Sequence, residues 1–443
     1  MTAPIQSIDI GGIDERAAEI DRPFDQASRV LSRRGGESPA TEAERTDGAT
    51  GDDARGRRLE GIGCRDHAPY ATSMTSRSAV ASDGRGLRYG IIGTGMMGCE
   101  HIVNISHLDD AVVTAVSDPH PQSLDWARTA LGSNGDVAEF SDHRALLESG
   151  LCDVVVIASP NHTHHDVLLD ALDAGVHLLV EKPLCTTVEH CREVIERADA
   201  TDVPGRVVWM GLEYRFMPPT RRVLAEVGAG TIGGLRMVAI REHRFPFLQK
   251  VGDWNRFNRN TGGTLVEKCC HFFDLMNRLI DRPAVRVMAS GGQDVNHLDE
   301  RYDGEVPDIL DNAFVVVDYE GGARAMLDLC MFAEASRNEQ EISVVGDEGK
   351  VEALVTEGVV RIGRRSDGWG NVSTEEIADE KVRHVGMHHG ASYLEHVALA
   401  DAIRSNQPAE VTLRDGLAAV AIGVAAHRSI DEGRVVELAE ILG

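Results

Sequence analysis

The segment LRYGIIGTGMMG, residues 87–98, leaves this chain few folds to choose from. A short apolar strand runs directly into Gly93-Thr94-Gly95-Met96-Met97-Gly98, a G-x-G-x-x-G. In that pattern the first glycine permits a tight turn, the second lets a pyrophosphate approach the backbone, and the third lets helix and strand pack closely. The helix that follows offers free N–H groups at its N-terminus, which suit phosphate oxygens. Alone the motif is weak. Here it follows a strand, opens a helix, and has Asp118 at the end of a second strand, 20 residues past Gly98. A carboxylate there accepts hydrogen bonds from ribose hydroxyls, so Gly93, Gly95, Met96, Met97, Gly98 and Asp118 read as one nicotinamide dinucleotide site. The charge of Asp118 would repel a 2′-phosphate and favours NAD over NADP. The competing reading of Asp118 is a turn residue ahead of Pro119.

Further apolar strands follow at AVVTAVSD (111–118), DVVVIAS (153–159), HLLVEK (177–182) and RVVWMG (206–211), with helical stretches such as HDVLLDALDAG (165–175) between them. Continuous apolar strands alternating with helices predict an α/β domain over 87–210, a parallel sheet covered on both faces. Beyond it the alternation stops. LRMVAIREHR (235–244), NAFVVVDY (312–319), ARAMLDLCM (323–331), QEISVVGD (340–347) and GVVRIGRR (358–365) predict a meander of strands, with one helix near 265–280. That is an α+β domain over 211–443 with a large open, mostly antiparallel sheet. Helices at 391–405 and 416–431 finish the chain, placed to pack back on the first domain.

Residues 1–86 differ in composition. They hold 15 acidic residues against 12 arginines, with much Gly, Ser, Ala and Thr and no sustained apolar period, and are expected to be a disordered extension. Ser32-Arg33-Arg34 resembles a twin-arginine signal, but Gly35-Gly36-Glu37-Ser38 stands where an apolar region should follow, so the expected location is cytoplasmic. A net charge of −26 disfavours nucleic acid and anionic membranes as partners. No apolar run approaches the roughly 18 residues that span a bilayer. Of 45 basic residues only Lys182, Lys250, Lys268, Lys350 and Lys381 are lysines, a bias that fits a salt-adapted or a GC-rich source. The eight cysteines include no C-x-x-C and read as reduced thiols.

The stretch TGGTLVEKCCHFFDLM (261–276) sets ionisable groups and two cysteines in an apolar run. A metal site, a thiol pair and an acid/base site are the options. On one helix over 265–280, Glu267, His271, Asp274 and Arg278 share a polar stripe, and Leu265, Cys269, Phe272, Met276 and Leu279 face away from it. Neighbouring residues point about 100° apart, which sets Cys269 and Cys270 against a shared metal or an unstrained disulfide. A Glu267/Cys270/His271 metal site is the alternative; the reading taken is acid/base, with no metal.

Four stretches in order, DVVVIASPNHTHH (153–165), ALDAGVHLLVEKPL (171–184), GLEYRFMPP (211–219) and TGGTLVEKCCHFFD (261–274), resemble the Gfo/Idh/MocA oxidoreductases. The resemblance covers residues 87–440 and implies a Rossmann domain, then an α+β domain whose open sheet forms a homodimer or homotetramer. It implies sugar, cyclitol or related polyol substrates. It also implies that Ser159, Pro160, Asn161 and His164 line the cofactor, and that Glu181 and Lys182 meet nicotinamide and substrate. The family's D-x-x-x-H stands here as Glu267-x-x-x-His271, one methylene longer at the carboxylate.

Oxidising an alcohol by hydride transfer needs a base for the hydroxyl proton, a role for which histidine is suited. Lys182 supplies a cation for the developing charge on oxygen. Glu267 would orient His271 or bind a neighbouring hydroxyl; its structural alternative is a partner for Arg278 or Lys268. Tyr214, Arg215, Trp254 and Asn255 are further candidates for substrate contact, while His388 and His389 read as surface or capping residues. The resulting expectation is an NAD-dependent dehydrogenase with Lys182, His271 and Glu267 at its centre. Its rivals are a redox-neutral NAD-dependent glycosidase and a non-catalytic sugar or cofactor sensor.

Overall fold

The computed structural model describes residues 86–133, 136–201 and 203–443; apart from Gly86, the expected N-terminal extension lies outside them. The first sheet comprises β1 (Leu87–Ile92), β2 (Ala111–Ser117), β3 (Ala138–Phe140), β4 (Val154–Ile157), β5 (His177–Glu181) and β6 (Val208–Gly211). All pairs are parallel and the order is β3-β2-β1-β4-β5-β6. Val154 to Ile157 are wholly buried, as apolar residues on both faces of a covered strand must be. Helices α1 (Met96–Ser106), α2 (Pro121–Leu131), α3 (His143–Glu148), α4 (His164–Ala174) and α5 (Val188–Ala200) make the crossovers. Strand order reverses between β1 and β4, and the crevice outside the C-terminal strand ends at such a point is where doubly wound sheets bind ligands.

After α6 (Pro218–Gly228) the chain builds a second sheet. It begins with β7 (Leu235–His243), passes through helix α7 (Cys270–Ile280), and continues with β8 (Ala284–Gly292), β9 (Asn312–Tyr319), β10 (Arg324–Cys330), β11 (Gln340–Gly346), β12 (Gly349–Leu354), β13 (Val359–Arg364) and β14 (Val372–Glu376). The two-residue β15 (Val436–Glu437) completes the order β14-β13-β12-β11-β7-β10-β9-β8-β15. Only the β7–β10 pair among these is parallel. Buried and exposed residues alternate along β9 and β10, so one face carries a core and the other does not. Val315, Val317, Leu327 and Leu329 point inward, while Phe314, Val316, Met326 and Met288 stand exposed on the other side.

The inner face is covered by α7 and by α9 (Leu413–Glu432), which follows α8 (Ala391–Ser405). α9 starts three residues earlier than the apolar pattern suggests because Thr412 and Asp415 form a capping box, each side chain accepting from the other's backbone N–H. The chain just ahead of α9, together with α8, ties this part to the first sheet. Met210 N–H on β6 donates to Val411 at 3.1 Å, and Trp209 Nε1 donates to Glu395 on α8 at 3.2 Å. The edge of β6 is thereby covered rather than left open for another chain.

Candidate active site

The glycine loop has the geometry its spacing demands. Gly93 has φ +88°, and a Cβ there would lie 2.5 Å from the Ser159 backbone; at Gly98 it would lie 2.0 Å from the Gly93 carbonyl. At Gly95, by contrast, a Cβ would meet nothing within 4 Å, which leaves open space against the start of α1. No side chain caps that helix and no acid sits in its first turn, so its N–H groups are available to an anion. Asp118 at the end of β2 accepts from Thr94 N–H at 2.9 Å and His120 N–H at 2.8 Å, and each oxygen keeps a lone pair for a ribose hydroxyl. Asn161 is buried with its Nδ2 lacking a partner, as is the Thr94 hydroxyl. Orphaned polar atoms of this kind call for a polar ligand. These residues fit a dinucleotide.

His164 departs from expectation. Its Nδ1 lies 2.8 Å from the Pro183 carbonyl and its Nε2 lies 3.0 Å from the Ser159 carbonyl. The ring sits between the ends of β4 and β5 and donates to one of these two carbonyls, which links the strands. Ser159 likewise accepts from the Thr163 hydroxyl at 2.7 Å.

The helix expected over 265–280 is interrupted. One turn, Thr264–Glu267, ends before α7 begins at Cys270, and Cys269 N–H reaches back to the Thr264 carbonyl at 3.4 Å. The break turns the Glu267 carbonyl to other donors: Lys182 Nζ at 3.2 Å and the Cys270 thiol at 3.6 Å. Lys182, at the end of β5, is thus held directly against the segment that carries Glu267 and His271. The Glu267 carboxylate is buried, and its Oε2 has no partner. Burial pushes its pKa up against the opposing pull of Lys182, Lys250, Arg256 and Arg244. Neither structural partner foreseen for it is available: Lys268 pairs with Glu242 at 2.8 Å, and Arg278 faces solvent.

His271 is buried and stacks flat on Tyr214, with ring centres 3.9 Å apart and 4° between the planes. Its Nδ1 has no hydrogen-bond partner. Burial, followed by the charges of Lys182 and Lys268, holds the imidazole well below the usual histidine range, so it is neutral and able to accept a proton. Tyr214 does not reach into the cleft as a free hydroxyl; it backs His271 and accepts from Lys268 Nζ at 2.7 Å. Arg215 is also not a cleft residue. It grips the buried Asp274 on α7 through two hydrogen bonds and lies 3.2 Å from the half-exposed Asp415 on α9.

Cys269 and Cys270 are buried, and burial pushes the Cys270 thiol up to about 12 and Cys269 well above its ordinary value. Thiols of that kind are protonated and inert. Among the described residues no three His, Cys, Asp or Glu side chains are grouped so as to hold a metal ion.

Trp254 faces His162 edge-on at 6.3 Å, across from the turn Asn161–Thr163. Asn255 is buried and pins its own loop, donating to the Leu248 carbonyl at 3.0 Å while its Oδ1 stays unpaired. Two groups at the site went unforeseen. Lys250 is desolvated beside Glu267 and Lys182, which lowers its pKa. His388 is not a surface or capping residue: it lies 3.1 Å from Glu213, and its ring is 5.9 Å from Tyr214. Three of the chain's five lysines, 182, 250 and 268, meet here. In a chain that otherwise takes its positive charge from arginine, that scarcity was the available signal.

Residues 87–209 match the family model described as "Oxidoreductase family, NAD-binding Rossmann fold", and residues 225–438 match "Oxidoreductase family, C-terminal alpha/beta domain". The myo-inositol 2-dehydrogenase of Thermotoga maritima is 28% identical over 364 residues, 81% of this chain and 100% of that one. The scyllo-inositol 2-dehydrogenase (NAD(+)) of Bacillus subtilis is 26% identical over 362 residues, 80% of this chain and 96% of that one. A levoglucosan dehydrogenase solved with NADH and levoglucosan superposes with a TM-score of 0.68 over 80% of this chain and 100% of its own, at 19% identity, a level that speaks for the fold. Matched in both halves and in the same order, the chain belongs to the Gfo/Idh/MocA family of NAD-binding oxidoreductases.

Proposed function

We propose that this enzyme is an NAD-dependent dehydrogenase that oxidises a secondary alcohol of an inositol, sugar or related polyol. The observation that carries the reading is the meeting of Lys182, from the end of β5, with the Glu267–His271 segment at a 3.2 Å contact. The bound nicotinamide would supply the hydride acceptor. His271, kept neutral, takes the hydroxyl proton as the carbonyl forms. Lys182, anchored on the Glu267 carbonyl, places its charge beside the oxygen that becomes negative. The unpaired Oε2 of Glu267 accepts from a second hydroxyl on the same ring.

The cofactor is read as NAD rather than NADP, because the negative charge of Asp118, just after β2, would repel a 2′-phosphate. The inositol dehydrogenases among the relatives support a cyclitol or sugar as substrate. The exposed apolar face of the second sheet supports a homodimer or homotetramer, and the unpaired cysteines suit the cytoplasm. NADH formation across a panel of cyclitols, sugars and uronic acids tests the reading, with product regiochemistry by NMR. Substrate turnover without net NADH would instead support the redox-neutral glycosidase, and ligand binding without turnover the sensor.

A further inference from the structure

His101 on α1 and His396 on α8 are wholly buried and take no part in the chemistry above. They form a chain that ends on Glu181. His101 Nε2 lies 2.9 Å from Glu181 Oε1, and His101 Nδ1 lies 2.8 Å from His396 Nε2. Glu181 Oε2 accepts from the Lys182 backbone N–H at 3.1 Å. An ionised carboxylate only accepts, so His101 donates from Nε2. With the His101 ring uncharged, Nδ1 keeps a lone pair and His396 donates to it from its own Nε2. The chain terminates at His396 Nδ1, which has no partner.

The charge also collects at one place. Burial alone would neutralise Glu181, but the His101 hydrogen bond and the nearby Lys182 keep its pKa below the ordinary glutamate value. Two carboxylates act on the same pocket. Glu213 is pushed up to about 8 by burial and then by Glu181, and Glu395 well above its usual range by burial, Glu213 and Glu181. Both favour the neutral form beside an ionised Glu181. Glu181 is the last residue of β5. The glycine loop and Asp118, on β1 and β2, take the diphosphate and adenosine side of a dinucleotide. The β4–β6 side of the switch point is left for the nicotinamide.

We propose that His101 and His396 are positioning residues that hold the Glu181 carboxylate in one ionised, oriented state beneath the nicotinamide, and that this fixed charge strengthens binding of the oxidised cofactor relative to the reduced one. Oxidised nicotinamide carries a positive charge that hydride transfer removes, and a carboxylate a few ångströms away in a water-poor site distinguishes the two forms. Alcohol oxidation would then end in a form of the cofactor that the site holds less tightly. The proposal rests on the NAD-dehydrogenase reading, with the nicotinamide over β5.

The test is the ratio of NAD+ to NADH dissociation constants, by calorimetry and NADH fluorescence, in full-length wild type and variants. Glu181→Gln is expected to weaken NAD+ by roughly tenfold and NADH by about twofold or less, the scale of one charge felt through protein. His101→Leu and His396→Leu should move the ratio the same way. His101→Gln, whose amide still donates to Glu181, should restore most of it, which a purely structural role would not predict. A ratio unmoved by Glu181→Gln would overturn the placement of the nicotinamide. A ratio moved by Glu181→Gln but not by either leucine variant would overturn the role of the histidines alone. Should the leucine variants not fold, nitrogen-15 NMR of the wild-type histidines decides: both rings should carry the proton on Nε2, and an Nδ1 proton or an imidazolium at either one at pH 7 refutes the chain.

Discussion

At the scale of single residues, the site works by moving charge states away from their values in water. His271 is a buried imidazole among cations, held neutral, and Glu267 is a buried carboxylate with an unpaired oxygen. His271→Ala and Lys182→Ala should each lower kcat by roughly 10²–10⁴-fold, the usual scale for positioned acid/base groups. The double variant should lose less than the product of the two, since both act on one proton transfer. NAD affinity, measured by fluorescence titration, should survive in all three because the glycine loop is elsewhere. The pH dependence has a definite sign. The reactive form of His271 is unprotonated and its pKa is lowered, so kcat/KM should stay level from neutral pH down past 6.5 and fall only below that. A limb centred at or above 6.5 that vanishes in His271→Ala would contradict the burial argument. Asp118→Ala should weaken NAD and narrow its advantage over NADP, and a wild type preferring NADP tenfold or more would refute the assignment.

At the scale of elements, the break between Thr264–Glu267 and α7 matters more than either helix. An unbroken helix would have turned the Glu267 carbonyl to an N–H four residues on, and Lys182 would have lost its anchor. The cysteines at the break are packing residues. Cys269→Ala and Cys270→Ala should keep most activity, and chelators should leave turnover unchanged. The Arg215 clamp holds α7 against α9. Arg215→Met leaves Asp274 buried without its partner, and loss of one member of a buried pair costs about 3–5 kcal/mol. Denaturant unfolding should report that loss, while KM for the polyol in the folded fraction stays near wild type. A large rise in KM at unchanged stability would return Arg215 to the substrate.

At the scale of the whole molecule, the second sheet keeps one face exposed among the described residues. Met288 pairs with Val316 and Val316 with Met326 in register, forming an exposed apolar row across β8, β9 and β10, with Phe314 beside it. Apolar residues in contiguous rows mark an interface, since exposed ones on monomers are usually scattered. Met288→Glu with Phe314→Glu should convert the proposed oligomer to monomer in light scattering without unfolding it. A wild type already monomeric at micromolar concentration would overturn that view of the face.

The amino-acid sequence alone determined the doubly wound sheet, the glycine loop and the mixed second domain, because each is written in local apolar period and in a short glycine spacing, such as that of Gly98 against the Gly93 carbonyl. It also brought forward Glu267 and His271, through residue types at a short spacing, and Lys182, through the resemblance of Glu181-Lys182-Pro183 to the family. What it did not carry were partnerships between residues far apart in the chain. β8 and β12 were not marked out, since charged and glycine residues interrupt their alternation and pairing with neighbours makes them strands. Arg215 lies 59 residues from Asp274, Lys182 lies 85 from Glu267, and His101 lies 295 from His396. Whether a buried charge meets its partner, a free lone pair or a substrate depends on which elements pack together. Tertiary structure alone decides that, because desolvation and Coulomb energies depend on position in space and not on spacing along the chain.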